Sequence, residues 1–351
     1  TRRKGYKCSD DQIVQALVDS KADVLTIVAK TWDFQVTKAL GMELDENLLL
    51  INDTVAYLKD LGFRVFLDAE HLFDGYKSNP EYTLRCLDTA CKAGVDMLVL
   101  CDTNGGTLPA EVSRITSDIK NRFSTEVGAH FHNDTGVAVA NSIAAVEAGA
   151  SSVQGTINGY GERCGNCDLT TFIPNLVLKM GLLCSSKDVL QHISEVSRFV
   201  SEIANLPHVE NRPFVGQNAF AHKGGIHVSA LQKDTRTYEH IDPALVGNKR
   251  MVMISELSGK SNVEFKAKEL GIDISGDINL SRAVLEKIKG LEEKGFQFEA
   301  AEGSFELLLR EATGEYRPFF RLLGFRLITE MDVQGGLECE ATIKVQVDGQ
   351  V

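Results

Sequence analysis

The chain has 351 residues, 43% of them hydrophobic and 25% charged, ordinary values for a globular protein with a sizeable core rather than a disordered one. A formal charge of −12 counts against a general nucleic-acid or anionic-membrane binder, because those partners require clustered positive charge. No apolar run approaches the roughly 18–20 residues that span a bilayer and no charged-then-apolar signal segment opens the chain, so a cytoplasmic protein with no membrane or nucleic-acid partner is expected.

The opening TRRKGYKCSD has no initiator Met, and the closing VQVDGQV lies inside an alternating run, so a piece of a longer protein is expected. Cysteines at 8, 86, 91, 101, 164, 167, 184 and 339 form no short secreted disulfide framework, and reduced thiols fit them better. Cys164 and Cys167 make a C-x-x-C that is half a zinc knuckle, a redox pair, or two incidental thiols of a glycine-rich loop; no second C-x-x-C completes a four-thiolate site.

In chain order, a first strand is predicted over residues 22–29 (ADVLTIVA), leading to Lys30. A helix follows over 45–62, where Leu48, Ile51, Val55 and Leu58 recur at three and four and Gly62 stands at the C-cap position. The second strand, 63–70, ends at Glu70 and His71. A helix over 79–94 places Pro80 in its first turn and Gly94 at its end. The third strand, 95–102, leads to Asp102 and Thr103, and the fourth, 126–132, ends in His130 and His132. A small-residue helix over 135–149 and a fifth strand over 151–158, ending at Asn158, complete the repeat. Beyond residue 180 one amphipathic helix is predicted over 187–205, with Val189, Ile193, Val196, Val200 and Ile203 as its stripe. Another is predicted over 279–295, on Leu280, Val284, Ile288 and Leu291. The segment 207–260 has few long periodic runs, and the last thirty-odd residues alternate like antiparallel strands around a QGG turn.

Strands alternating with helices predict an α/β fold with a parallel sheet. A TIM (β/α)8 barrel is favoured over an open doubly wound sheet, because every one of the five strands carries a polar group to its carboxyl end and no G-x-G-x-x-G follows a strand. The barrel is expected to be incomplete, with about three strands preceding Thr1. The expected division is a partial barrel over 1–183, a mostly helical linker over 184–295, and the start of an α+β regulatory domain over 296–351.

Side chains two apart on a strand point the same way, so His130 and His132 can share one divalent ion, with Asn133 and Asp134 available to bond the imidazoles. Read otherwise, they are two hydrogen-bonded histidines in a barrel mouth. The loop GTINGYGERCGNCDL is either a surface turn or a backbone that approaches a ligand, in which Asn166 offers an amide oxygen. Glu70 and Asp102 are general bases or partners of a neighbouring cation. His222 and His227 flank a double glycine at a spacing that matches no zinc helix, and are structural or catalytic.

HFHNDTGVAVANSIAAVEAGA, TINGYGERCGN and HKGGIHVSAL together resemble, in order and spacing, the isopropylmalate, homocitrate and citramalate synthase family, metal-dependent TIM-barrel acyltransferases that are related to the hydroxymethylglutaryl-CoA lyases. CDTNGGTLP, DAEHLFDGYKSNPEY, TYEHIDPALVGNKR and SELSGKSN look most like the branch that condenses acetyl-CoA with pyruvate in isoleucine biosynthesis. The resemblance implies His130, His132 and Asn166 as ligands of a divalent metal, Mn, Mg, Co or Zn. It implies Thr103 as the residue that holds the 2-oxo acid, Glu70 beside the reacting carbons, and His227 and Tyr238 near acetyl-CoA; the base itself is left open by the resemblance, and His227, activated by an acidic neighbour with Tyr238 assisting, is the expected one. It also implies a homodimer. The family's first-strand motif D-x-T-L-R-D-G-x-Q, which supplies an aspartate ligand and a catalytic arginine, is not in this sequence, and the chain by itself is expected to be inactive. The competing expectations are a 2-isopropylmalate synthase using 2-oxoisovalerate, a lyase running the reverse cleavage, and a non-catalytic barrel that senses an amino acid.

Overall fold

Five parallel strands form one sheet: β1 (Val24–Lys30), β2 (Arg64–Glu70), β3 (Met97–Asp102), β4 (Glu126–Phe131) and β5 (Ser152–Gln154). Their spatial order is their chain order. A doubly wound sheet reverses direction at a switch point, whereas a barrel wall adds each strand beside the last, so the topology is that of an incomplete (β/α) barrel. The computed structural model describes residues 1–184, 187–253, 260–274, 278–298, 301–347 and 350. The chain divides into two units, Thr1–Phe220 with Asp242–Lys249, and Ala221–Ile241 with Arg250–Val351.

In the first unit the helices are α1 (Gln12–Asp19), α2 (Leu44–Asp60), α3 (Leu72–Ser78), α4 (Pro80–Lys92), α5 (Pro109–Arg122), α6 (Ala138–Glu147), α7 (Leu169–Pro174), α8 (Lys187–Leu190) and α9 (Ile193–Ile203). The predicted stripe of α2 is its packing face: Ile51, Val55 and Leu58 are fully buried, with Leu48 against the same core. Asn79 caps α4 by accepting the Tyr82 N–H, and Pro80 sits in the first turn, where it leaves no helical bond unmade. Gly94 ends that helix with φ +95°, in the left-handed region that costs a residue with a Cβ roughly 1–2 kcal/mol.

β3 is buried on both faces. Leu98 and Leu100 pack outward against the helices, while Met97, Val99 and Cys101 pack inward with Phe66. The sheet is strongly curled, as one hydrogen bond demonstrates. Gln154 on β5 donates to Asp68 Oδ1 on β2 at 2.9 Å, although strands three places apart in a flat sheet are separated by about 14 Å. The concave face is therefore the inside of a barrel wall.

Two expected elements differ in extent. β5 stops at Gln154, not residue 158, because the backbone at Gly155 passes so close to Cys167 O that a Cβ there would lie 2.6 Å away. The helix expected over 187–205 is two, α8 and α9. The break lies where the 243–247 turn docks: Ser194 Oγ donates to Val246 O at 2.5 Å, and the Gln191 carbonyl rests on Gly247. The expected stripe coincides with the buried face of α9 only at Ile193. Ile193, Ser194, Ser197 and Ser201 are inside, whereas Val196 and Ile203 are 38% and 70% exposed. The serine hydroxyls satisfy buried carbonyls and amides, which makes a polar face the inward one.

The second unit contains β6 (Ala221–His222) and β7 (Met251–Val252), paired in parallel, then α10 (Gly225–Leu231), α11 (Lys260–Glu269), α12 (Ile278–Glu292) and α13 (Glu302–Ala312). Val284 and Ile288 of α12 pack with Val263, Phe305 and Leu309, as the stripe predicts. A hairpin, β8 (Arg321–Met331) with β9 (Leu337–Gln346), closes the chain; Asp332 Oδ1 accepts the Gln334 and Gly336 N–H groups at its turn. Of the SELSGKSN motif, residues 255–259 lie outside the described residues. Its Asn262 is buried and donates to the carbonyls of Lys223 and Met253. Among the described residues no helix is long and apolar enough to cross a membrane.

Candidate metal centre at the strand ends

Alternation along the strands aims one set of side chains into the concave face. In register there, Lys30 lies opposite Glu70, Cys101 opposite His130, and His130 opposite Gln154. His132 follows β4, and its backbone forms an isolated bridge with Asn166, which brings the glycine-rich loop back beside the strand end. The loop is fastened by Asn133 N–H to Gly165 O at 2.8 Å, Cys167 N–H to Phe131 O at 3.1 Å and Asn166 N–H to Gly159 O at 3.0 Å.

The consequence is convergence. His130 Nε2 and His132 Nε2 are 3.4 Å apart, and Asn166 Nδ2 donates to His130 Nε2 at 3.2 Å. His132 is held below the usual imidazole range, first by burial and then by the neighbouring charge of His130 and Arg163. Two imidazoles and a carboxamide, which can turn its oxygen inward, match the donor set of a divalent ion. Among the described residues no group of three His, Cys, Asp or Glu gathers as a metal site, and the amide of Asn166 is the side chain beside the two imidazoles. Gly161 makes room for that amide: a Cβ at 161 would stand 1.9 Å from Asn166 Oδ1.

Glu70 enters the same mouth as an ion pair, with Lys30 Nζ 2.7 Å from Oε2. Thr103 Oγ1 accepts the backbone N–H of His71 at 2.8 Å, which fixes its oxygen, and its carbonyl accepts from Arg163 Nη2 at 2.7 Å. Asp102 points to the opposite face. Its buried carboxylate accepts the N–H and hydroxyl of Thr107, and burial raises its pKa. Asn133 and Asp134 do not bond the imidazoles as expected. Asn133 Oδ1 accepts the Ala138 N–H at the start of α6, and Asp134 pairs with Arg163 at 2.7 Å. Asn158 also turns away from the mouth; with φ 64° it is buried against Ser197 and Ser201 of α9.

Asp68 and Gln154 are inward-facing polar residues that the spacing analysis did not single out. Burial raises the Asp68 pKa, against the opposing effects of the Gln154 bond and the nearby His130. The signal available for both was period two: Asp68 precedes Glu70 by two positions on β2, and Gln154 ends the strand beside His130.

In the second unit, His227 stacks on Tyr238 with ring centroids 4.1 Å apart. The carboxylate near them serves His222 instead: Glu239 Oε1 lies 3.2 Å from His222 Nε2, and Arg250 donates to both oxygens of Glu239, at 2.6 and 2.5 Å.

Residues 5–200 match the HMGL-like family profile and residues 214–295 that of the homocitrate synthase post-HMGL domain-like family. The chain is 49% identical to the (R)-citramalate synthase of Synechocystis sp. over its whole length, spanning 66% of that protein. To the 2-isopropylmalate synthase of Methanocaldococcus jannaschii it is 34% identical, over 80% of this chain and 53% of that one. Among solved structures, the HMG-CoA lyase of Bacillus subtilis superposes with a TM-score of 0.50 at 18% identity, covering 56% of this chain and 69% of the lyase, a likeness of fold.

Proposed function

The chain belongs to the HMGL-like family, and from that premise we propose that the full-length protein condenses acetyl-CoA with pyruvate to give (R)-citramalate and CoA. The observation that carries this reading is the meeting of His130, His132 and Asn166 at the strand ends, with the imidazole Nε2 atoms 3.4 Å apart. Identity favours pyruvate over a larger 2-oxo acid, 49% against 34% for the isopropylmalate synthase.

His130, His132 and Asn166 would hold the divalent ion, which when bound polarises the keto group of the oxo acid as a Lewis acid. Thr103 holds the oxo acid through its hydroxyl, and Glu70, paired with Lys30, faces the reacting carbons. His227 removes a proton from the acetyl-CoA methyl group with Tyr238 assisting, the enolate carbon attacks the keto carbon, and water then cleaves the thioester to release CoA. The residues from 296 onward begin a regulatory domain, and the protein works as a cytoplasmic homodimer.

The test is a free-thiol assay on the metal-loaded full-length protein with pyruvate and with 2-oxoisovalerate. Pyruvate is expected to be preferred by at least tenfold in kcat/KM; the reverse preference would make the protein an isopropylmalate synthase. A second result is expected from Gly161→Ala. The added methyl displaces the Asn166 amide, and manganese affinity falls roughly 10–100-fold with unchanged circular dichroism. Unaltered affinity in a manganese titration would remove Asn166 from the ligand set.

A further inference from the structure

We propose that Asp68 and Gln154 set the tautomer of His130, so that Asp68, acting through Gln154, is a positioning residue of the metal centre. The proposal rests on the reading of His130 as a ligand.

Three strands supply the parts: Asp68 lies on β2, His130 on β4 and Gln154 on β5. Gln154 Nε2 donates to Asp68 Oδ1 at 2.9 Å, and Gln154 Oε1 stands 2.9 Å from His130 Nδ1. Each step forces the next. An ionised carboxylate only accepts, so it claims the NH2 end of the Gln154 amide. That turns Oε1, which also only accepts, toward the imidazole. His130 Nδ1 must then carry the ring proton, and a neutral imidazole has one N–H, so Nε2 is left with a bare lone pair. It is this Nε2 that lies beside His132 Nε2 and Asn166. The other tautomer would put a proton where a cation has to sit.

Placing Asp68 here is costly unless it has a task. Its neighbours on the concave face include Phe66 and the inward cluster of Met97, Val99 and Cys101. The lysine at the end of the adjoining strand, Lys30, is paired with Glu70. A carboxylate in such surroundings loses hydration that one amide bond only partly returns. A glutamine at 154 with an apolar residue at 68 would still bond the imidazole, but with either end of its amide, and the tautomer would be unfixed.

The amide logic defines a test with its own rescue. In Asp68→Asn the side chain at position 68 can donate or accept, so Gln154 can flip and present its NH2 to Nδ1, shifting the proton to Nε2. In the double variant Asp68→Asn, Gln154→Glu, the carboxylate at position 154 only accepts. The amide introduced at position 68 and the His130 ring both donate to it, which restores the original tautomer. Manganese(II) alone is titrated calorimetrically into the full-length protein, its two variants and His130→Ala. The ring-nitrogen shifts of 15N-labelled histidine are recorded without metal. Asp68→Asn is expected to weaken manganese binding about 10–100-fold and to show protonated Nε2 in His130, and the double variant to return within about threefold of wild type. The inference is overturned if Asp68→Asn binds manganese as wild type does with Nδ1 still protonated, or if the double variant stays as weak as the single one. Should His130→Ala bind manganese as tightly as wild type, the ligand reading fails separately, and the nitrogen shifts alone decide whether the tautomer is set by residues 68 and 154.

Discussion

On the proposed reading, replacing His130 by alanine in the full-length protein is expected to lower acetyl-CoA- and pyruvate-dependent CoA release about 10³-fold or more, because a Lewis acid that polarises a carbonyl lowers the barrier by several kcal/mol. The ring is partly buried and makes its bonds to polar partners, Gln154, His132 and Asn166, rather than to the apolar core. Its loss should therefore leave the barrel folded while removing one of the two imidazoles proposed to hold the ion. Asn166 cannot compensate, since its amide is a weaker donor and is held by the loop between Gly159 and Cys167. Initial rates with saturating manganese, read beside circular dichroism, separate the two effects. A folded variant within tenfold of wild-type turnover would mean that the chemistry happens elsewhere.

Much of this centre was legible because strands have a period of two and because function in such barrels gathers at one end. The gathering of His130, His132, Glu70 and Thr103 at the strand ends follows from asking which side chains a strand carries to its carboxyl end. Asp68 and Gln154 escaped because their partnership depends on how far the sheet curls. Residues 68 and 154 are 86 positions apart and three strands distant, and no local pattern reports that curvature. Asn158 misled for the opposite reason. It follows a strand, but its left-handed backbone turns the side chain toward α9, and a positive φ at a non-glycine residue leaves little trace in sequence. In α9 the apolar stripe points to the inward face at Ile193 and away from it at Val196 and Ile203. The helix buries serines, whose hydroxyls are needed by Asn158 and by the Val246 carbonyl, and leaves Ile203 outside.

Glu239→Ala is expected to destabilise the protein by about 3 kcal/mol, the scale of breaking a buried charge pair from one side. The Glu239 side chain is 1% exposed and serves two partners, His222 at 10% and Arg250 at 28% exposure. Truncation takes away the negative charge that both surround. The loss should also depend on pH, with a definite sign. Burial lowers the His222 pKa, and the bond from Glu239 works against that shift. A histidine whose folded pKa lies below its unfolded value, about 6.5, binds fewer protons folded than unfolded in the interval between the two. Stability therefore rises with pH through that interval, is fully present above about 6.5, and is lost as pH falls toward the folded value. Without Glu239 the folded pKa drops further and the interval widens downward. Thermal unfolding at about pH 7.5 and 5.5 should show a larger drop on acidification in Glu239→Ala than in wild type, and His222→Gln should remove the difference between them. Equal drops would show that Glu239 holds Arg250 alone and that His222 is a bystander.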